Sequence, residues 1–349
     1  MERKKTNKIK VGNIYIGGDS PISVQSMTNT QTSDIKKTLL QLHRLEDAGC
    51  DIIRMSVTTK EDALAIDKYK QEIKMPIIAD IQFDYKIALE AINSGIDGLR
   101  INPGNMGNKE KIKEIVNACK RNHLSIRLGV NSGSLSREVI KKYDGVNELS
   151  MVESAMDQVK LLEDLDFYDI KISLKASSVP LTISSYTLMS DRVAYPLHLG
   201  VTEAGTSFRG TIKSSVGIGT LLSNGIGDTI RVSLTSDPLE EVEVGKEILK
   251  SLGLLKEGLE FISCPTCGRT NIDLIGLAKE VEKRLENIKK PLKVAIMGCA
   301  VNGPGEAREA DIGISGGDGE GLIFKKGLII KKVPEENLLE ELLKEIEKL

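Results

Sequence analysis

Short apolar runs alternate with longer amphipathic stretches through the first two-thirds of the chain. Eight runs read as strands: Ser23–Met27, Ile52–Val57, Pro76–Ile81, Gly98–Asn102, Ser125–Val130, Asp169–Leu174, Leu197–Thr202 and Thr229–Leu234. Between them, segments such as Ile35–Ala48, Asp62–Glu72, Lys109–Arg121 and Ser150–Leu165 repeat apolar residues at helical spacing. Strands alternating with helices imply βαβ units and a parallel sheet. Eight units in series, over roughly 240 residues, predict a closed (β/α)8 TIM barrel. The rival is an open doubly wound sheet, but no G-x-G-x-x-G follows the first strand. Ahead of that strand, Lys10–Gly17 reads as a short extended pair that plugs the barrel bottom. The glycine-containing run Ser214–Gly219 is expected to open a helix that could cradle phosphate.

The pattern breaks near 253–258. Beyond it, Leu259–Ser263, Lys293–Gly298, Asp311–Ser315, Gly321–Lys325 and Leu328–Lys332 read as strands, and Ile272–Leu285 as a helix. Pro334–Lys348 reads as a second helix with proline in its first turn. The chain thus divides into a barrel over 1–254, carrying the substrate site, and a small α+β domain over 255–349.

Composition narrows the function. The 349 residues are 40% hydrophobic and 28% charged, with a net charge of −2. Neither nucleic acid nor a membrane surface is favoured by that balance. Absence of Trp argues against a base-stacking surface. No apolar run approaches bilayer length, and the basic N-terminus lacks the apolar segment of a secretory signal. Five cysteines in such a chain point to a reducing cytoplasm, where clustered cysteines bind metal more often than they pair.

Barrel strands point alternate residues inward. Read at that period, Arg54 and Ser56 share a face, as do Asp80 and Gln82, and Arg100 and Asn102. Arg127, Gly129 and Asn131 follow, then Lys171, Ser173 and Lys175, then His198, Gly200 and Thr202, then Arg231 and Ser233. Barrel enzymes build their sites at these C-terminal strand ends. Six basic residues face only Asp80 and Glu203, and buried unpaired charge is costly. An anionic ligand such as a diphosphate would compensate, because the guanidinium fork suits phosphate or carboxylate. The plainer reading turns some of these side chains outward into solvent. A lone strand histidine suits ligand orientation or proton transfer better than metal binding, which places His198 in the site. Glu203 reads as a general acid or as an ordinary loop carboxylate.

Cys50 and Cys119 fall in helical patterns and read as buried small hydrophobes. The other three form a set: Cys264-Pro-Thr-Cys267-Gly-Arg269, and Cys299-Ala-Val-Asn302-Gly-Pro-Gly-Glu306. Structural zinc would want a second CxxC or a histidine, and neither is present. A redox dithiol would leave Cys299 unexplained. Three thiols suit an iron–sulfur cluster with one corner left over, which Glu306 can supply as a hard, exchangeable ligand.

These cysteine motifs, with His198-Leu-Gly-Val-Thr-Glu203-Ala-Gly and Val24-Gln-Ser-Met27-Thr-Asn-Thr30, resemble the 4-hydroxy-3-methylbut-2-enyl diphosphate synthase (GcpE) family. The resemblance covers nearly the whole chain, in the compact bacterial form. It implies reductive ring opening and dehydration of 2-C-methyl-D-erythritol 2,4-cyclodiphosphate in the non-mevalonate isoprenoid pathway. It implies a 4Fe-4S cluster held by Cys264, Cys267, Cys299 and Glu306, and electrons from ferredoxin or flavodoxin. By the same resemblance Arg54, Arg100, Asn102, Arg127, Asn131, Lys175, His198, Arg231 and Ser233 bind the cyclic diphosphate, and Glu203 donates a proton. A cytoplasmic, head-to-tail homodimer is implied as well. An aconitase-type hydro-lyase, or a barrel with a structural zinc module, are the competing readings.

Overall fold

The computed structural model describes residues 2–270, 272–286, 288–299, 305 and 307–349. Contacts divide the chain into two compact units, Met1–Leu254 and Leu255–Leu349.

The first unit is a parallel barrel. It opens on an antiparallel hairpin, β1 (Ile9–Val11) and β2 (Ile14–Ile16). The barrel strands are β3 (Ser23–Met27), β4 (Ile52–Ser56), β5 (Ile77–Asp80), β6 (Gly98–Ile101), β7 (Ser125–Asn131), β8 (Ile170–Lys175), β9 (His198–Leu199) and β10 (Thr229–Ile230). They are ordered β8-β7-β6-β5-β4-β3-β10-β9, and a parallel bridge between Ile172 and Leu197 closes the ring. The predicted last two strands are cut short. β9 ends at Leu199; at the next residue, Gly200, a Cβ would meet the Arg231 carbonyl at 2.7 Å. The backbone there has departed from regular pairing. The hairpin packs Ile9, Val11 and Ile16 against Ile52 and Ile78 and fills the N-terminal end of the barrel, as the sequence led us to expect.

Polar caps start the connecting helices. Thr59 and Asp62 form a reciprocal capping box on helix Lys60–Glu72, and Asn147 and Ser150 do so on helix Glu148–Glu163. One expectation fails. Ser214–Gly219 lies inside helix Ser207–Ser223 rather than at its start. Its amides are spent within the helix and cannot cradle phosphate. The glycines serve packing instead: a Cβ on Gly217 would lie 2.7 Å from Val201 Cγ2.

The second unit is a five-stranded sheet ordered β11 (Leu259–Ser263), β12 (Leu292–Met297), β13 (Ile312–Gly316), β14 (Glu320–Lys325) and β15 (Leu328–Pro334). The first three strands are parallel and the last two antiparallel. Helices Leu274–Leu285 and Leu338–Ile346 cover one face through Val281, Leu285, Leu338 and Leu342. Pro334 ends the edge strand instead of opening the last helix. The edge position tolerates its missing N–H, and a short 3-10 turn, Glu335–Asn337, intervenes.

Candidate active site

Strand register places the charged residues on one inner surface. Ser56 pairs with Asp80, Asp80 with Arg100, Arg100 with Arg127, and Arg127 with Lys171. Neighbouring strands therefore share the inward parity that alternation predicted. At the C-terminal end Asp80, Arg100 and Arg127 from this surface line a cavity of about 190 Å3. Arg54, Arg100, Arg127, Lys175 and Arg231 supply its positive charge, and Asn131 and Ser233 add neutral hydrogen-bonding groups.

The cations are unequally partnered. Asp80 Oδ1 accepts from Arg100 Nη1 at 2.9 Å, and its Oδ2 lies 3.4 Å from Arg54 Nε. Burial pushes the Asp80 carboxyl up, but Arg54, Arg100 and Arg127 outweigh it and hold it below its usual range. Met27 Sδ, 2.9 Å from Arg54 Nη2, steadies the other side of that guanidinium. Burial and the nearby Arg231 push Arg54 down to about 9. Arg127 and Lys175 have no carboxylate partner among the described residues. Burial, then neighbouring guanidinium groups, pushes both well below their ordinary values. Arg127 Nε and Nη1 and Arg100 Nε are buried without a hydrogen-bond acceptor. Five cations thus crowd a cavity whose wall carries one carboxylate, an arrangement whose charge suits an anionic ligand.

Two glycines make the crowding sterically possible. A Cβ on Gly129 would lie 3.0 Å from Arg100 Nε, and one on Gly200 would lie 2.8 Å from Lys175 Nζ. A side chain at either position would displace a cation.

The remaining predicted residues stand apart from the cavity wall. His198 is fully buried, with Nδ1 3.3 Å from Thr229 Oγ1 and Nε2 unpartnered. Burial, then Arg127 and Lys175, pushes its imidazole well below the ordinary range, so it is neutral. Asn102 caps the turn Pro103–Asn105 by accepting from the Gly104 N–H at 3.1 Å. Glu203 is exposed, one residue past the lining residue Thr202, with a left-handed φ of 53°. Such backbone in a non-glycine residue costs about 1 kcal/mol or more and is concentrated at functional loops. Gln82, Ser173 and Thr202 also line the cavity; their parity was visible in the sequence, but short neutral side chains leave no charge imbalance to single them out. Lys171 lies buried, with its Nζ unpartnered and absent from the wall.

In the second unit, β11 and β12 run in register with Ser263 opposite Ile296. Cys264 and Cys299 therefore emerge at the same sheet edge. The Cys264 N–H donates to the Ile296 carbonyl at 3.1 Å, and Gly298 N–H donates to Cys264 Sγ at 3.3 Å. Hydrogen bonds from the Arg269 backbone and side chain lower the exposed Cys267 thiol below its usual value. Amide donors to sulfur and a thiolate-favouring environment fit the donor set that an iron–sulfur cluster requires. Among the described residues no three His, Cys, Asp or Glu side chains are gathered as a metal site. Glu306, the expected fourth ligand, lies outside the described residues.

A TIM barrel with a cationic cavity at its C-terminal strand ends, followed in sequence by a cysteine-bearing α+β unit, places the chain among barrel proteins with a site suited to anionic ligands. Residues 6–246 match the family described as GcpE TIM-barrel domain, and residues 260–348 match GcpE protein C-terminal domain. The chain belongs to the GcpE family. It is 62% identical over 347 residues to the 4-hydroxy-3-methylbut-2-en-1-yl diphosphate synthase (flavodoxin) of Clostridium perfringens, covering 99% of each chain. To the protein of the same name from Geobacter sulfurreducens it is 55% identical, covering 99% of this chain and 98% of that one. Among solved structures, N-acetylneuraminic acid synthetase from Leptospira borgpetersenii matches with a TM-score of 0.50 at 13% identity, covering 81% of this chain and 98% of that one. That likeness concerns the fold alone. No helix among the described residues is long and apolar enough to cross a membrane.

Two predictions follow from the unpaired cations. Arg127→Met should raise the melting temperature of the ligand-free protein, because it removes a buried charge with no counter-ion. The same change should weaken inorganic pyrophosphate binding by roughly 10- to 100-fold in calorimetry. Lys171 gives a pH signature. Burial, then Arg127, lowers its ammonium from 10.5 to about 7. The unfolded chain therefore binds the extra proton between these values, and this group's contribution to stability rises with pH across that window. In urea titrations the advantage of Lys171→Met over wild type should shrink as pH goes from 7 toward 10.5.

Proposed function

We propose that this chain catalyses the reductive ring opening and dehydration of 2-C-methyl-D-erythritol 2,4-cyclodiphosphate to 4-hydroxy-3-methylbut-2-enyl diphosphate, with flavodoxin as electron donor. The observation that carries the reading is the cluster of under-neutralised cations at the barrel mouth, in a chain with both GcpE domains. Flavodoxin stands in the relatives' names; ferredoxin is the other donor the resemblance allows.

In this reading Arg54, Arg100, Arg127, Lys175 and Arg231 hold the two phosphates, with Asn131 and Ser233. The cations are fixed before the ligand arrives, so little reorganisation remains to be done during reaction. Opening the ring frees a phosphate oxygen and adds negative charge to the leaving diphosphate, and the surplus of cations favours that change over the closed ring. Neutral His198 and the capping Asn102 orient the substrate from the edges of this set. Glu203 delivers a proton from its exposed, strained turn. Cys264, Cys267, Cys299 and Glu306 would hold a 4Fe-4S cluster. When bound, that cluster supplies low-potential electrons and a Lewis acid for cleavage of the tertiary C–O bond. The protein works in the cytoplasm as a head-to-tail homodimer, the family arrangement in which one chain's cluster domain covers the other's barrel.

Protein purified without oxygen should be brown, contain iron and sulfide, and turn over the cyclic diphosphate only with a reductant. A colourless protein with one zinc per chain would sink the reading, and turnover without reductant would favour the hydro-lyase. Glu306→Ala should keep the iron content and lose most activity. Glu203→Gln should bind substrate as wild type does while kcat falls by roughly 100-fold, the scale of lost acid catalysis; unchanged kcat would rule Glu203 out as the acid.

A further inference from the structure

The paired register between β10 and β3 stops at Ile230, just before the two lining residues Arg231 and Ser233. What holds that segment on the β3 side is a side chain. Glu241 belongs to helix Pro238–Ser251 and is only 4% exposed. Its Oε1 accepts from the Leu234 N–H at 3.0 Å, and its Oε2 accepts from Ser26 Oγ at 3.1 Å. Both oxygens lie 3.4 Å from Arg231 Nη2. One carboxylate therefore joins β3 to the strand end that carries Arg231 and Ser233. The helix cannot easily shift away, because Gly245 lets it approach β3 so closely that a Cβ would lie 2.9 Å from Val24 Cγ1.

Glu241 is not part of the cavity wall, so it does not touch the ligand. Its carboxylate is the counter-charge of Arg231, much as Asp80 is that of Arg54 and Arg100. The long 3.4 Å separations leave the guanidinium held but not neutralised, with Nε still free of any acceptor. A shorter, bidentate pair would satisfy the fork and withdraw it from an anion.

We propose that Glu241 is a positioning residue of the anion site, setting the Arg231 guanidinium toward a ligand diphosphate. The proposal rests on reading the cavity as the cyclic-diphosphate site. It excludes a merely structural carboxylate, because its effect on ligand must pass through Arg231.

The test is a double-mutant cycle on the holoenzyme, read by calorimetry with inorganic pyrophosphate and by KM for the cyclic diphosphate. Glu241→Gln keeps the shape and loses the charge. It should raise the pyrophosphate Kd and the KM about tenfold, with kcat changed much less. In an Arg231→Met background the same change should alter the Kd less than about twofold. Equal effects in the two backgrounds would overturn the proposal, as would unchanged Kd and KM in a folded Glu241→Gln protein. Should that variant fail to fold, Ser26→Ala, which removes one donor to the carboxylate, should give a smaller loss that again disappears without Arg231; a loss that persists there overturns the idea. Wild-type protein that binds neither pyrophosphate nor the cyclic diphosphate would instead overturn the assignment of the cavity.

Discussion

The arrangement depends on one electrostatic constraint: a closed parallel barrel forces like charges to face one another. Register fixes Asp80 beside Arg100 and Arg100 beside Arg127, and ring closure leaves no edge through which a strand could rotate its charges outward. Water is largely excluded, so the repulsion is not screened away. Asp80 and Glu241 relieve only part of it. The protein therefore folds against an electrostatic strain that a bound anion would relieve, and in the proposed function a rigid site would obtain affinity in this way without moving. Stability and function are set against each other at the same few side chains.

The second unit meets a different requirement with similar economy of backbone. Parallel pairing of β11 and β12 delivers Cys264 and Cys299 to one edge although 34 residues separate Cys264 from Gly298. The crossover helix Leu274–Leu285 spans that interval and buries its apolar side on the sheet. Two thiols are thus placed by strand register, the same device that places the cations in the barrel.

Much of this was legible in the sequence, for physical reasons that differ by element. Strand alternation exposed the shared parity of Arg54, Arg100, Arg127 and Lys175, because successive side chains point to opposite faces; that this face is the inner one came from the agreement across strands. The cysteine motifs were legible as strand-end features, since Cys264 directly follows Leu259–Ser263 and Cys299 lies two residues past Leu292–Met297. Glu241 was not: an acidic residue in the first turn of a helix reads as a partner for the helix dipole, and only tertiary packing turns it toward Arg231. Ser214–Gly219 misled because glycine permits both phosphate approach and close helix packing, and local sequence does not distinguish them. Pro334 misled in the same manner, since a strand end on a sheet edge and a first helical turn both tolerate a missing N–H.

The hairpin Ile9–Val11 and Ile14–Ile16 seals the N-terminal end of the barrel with Ile9, Val11 and Ile16. That end of the barrel is therefore filled by packed apolar side chains, and the cationic cavity lies at the opposite, C-terminal strand ends. If the proposed reaction runs in that cavity, substrate and product would both use the C-terminal side, and a spent molecule would have to leave before a fresh one could bind. A surplus of cations that favoured the more highly charged species would then also slow its departure. Packing at the far end of the barrel would in that way bear on the pace of the whole cycle.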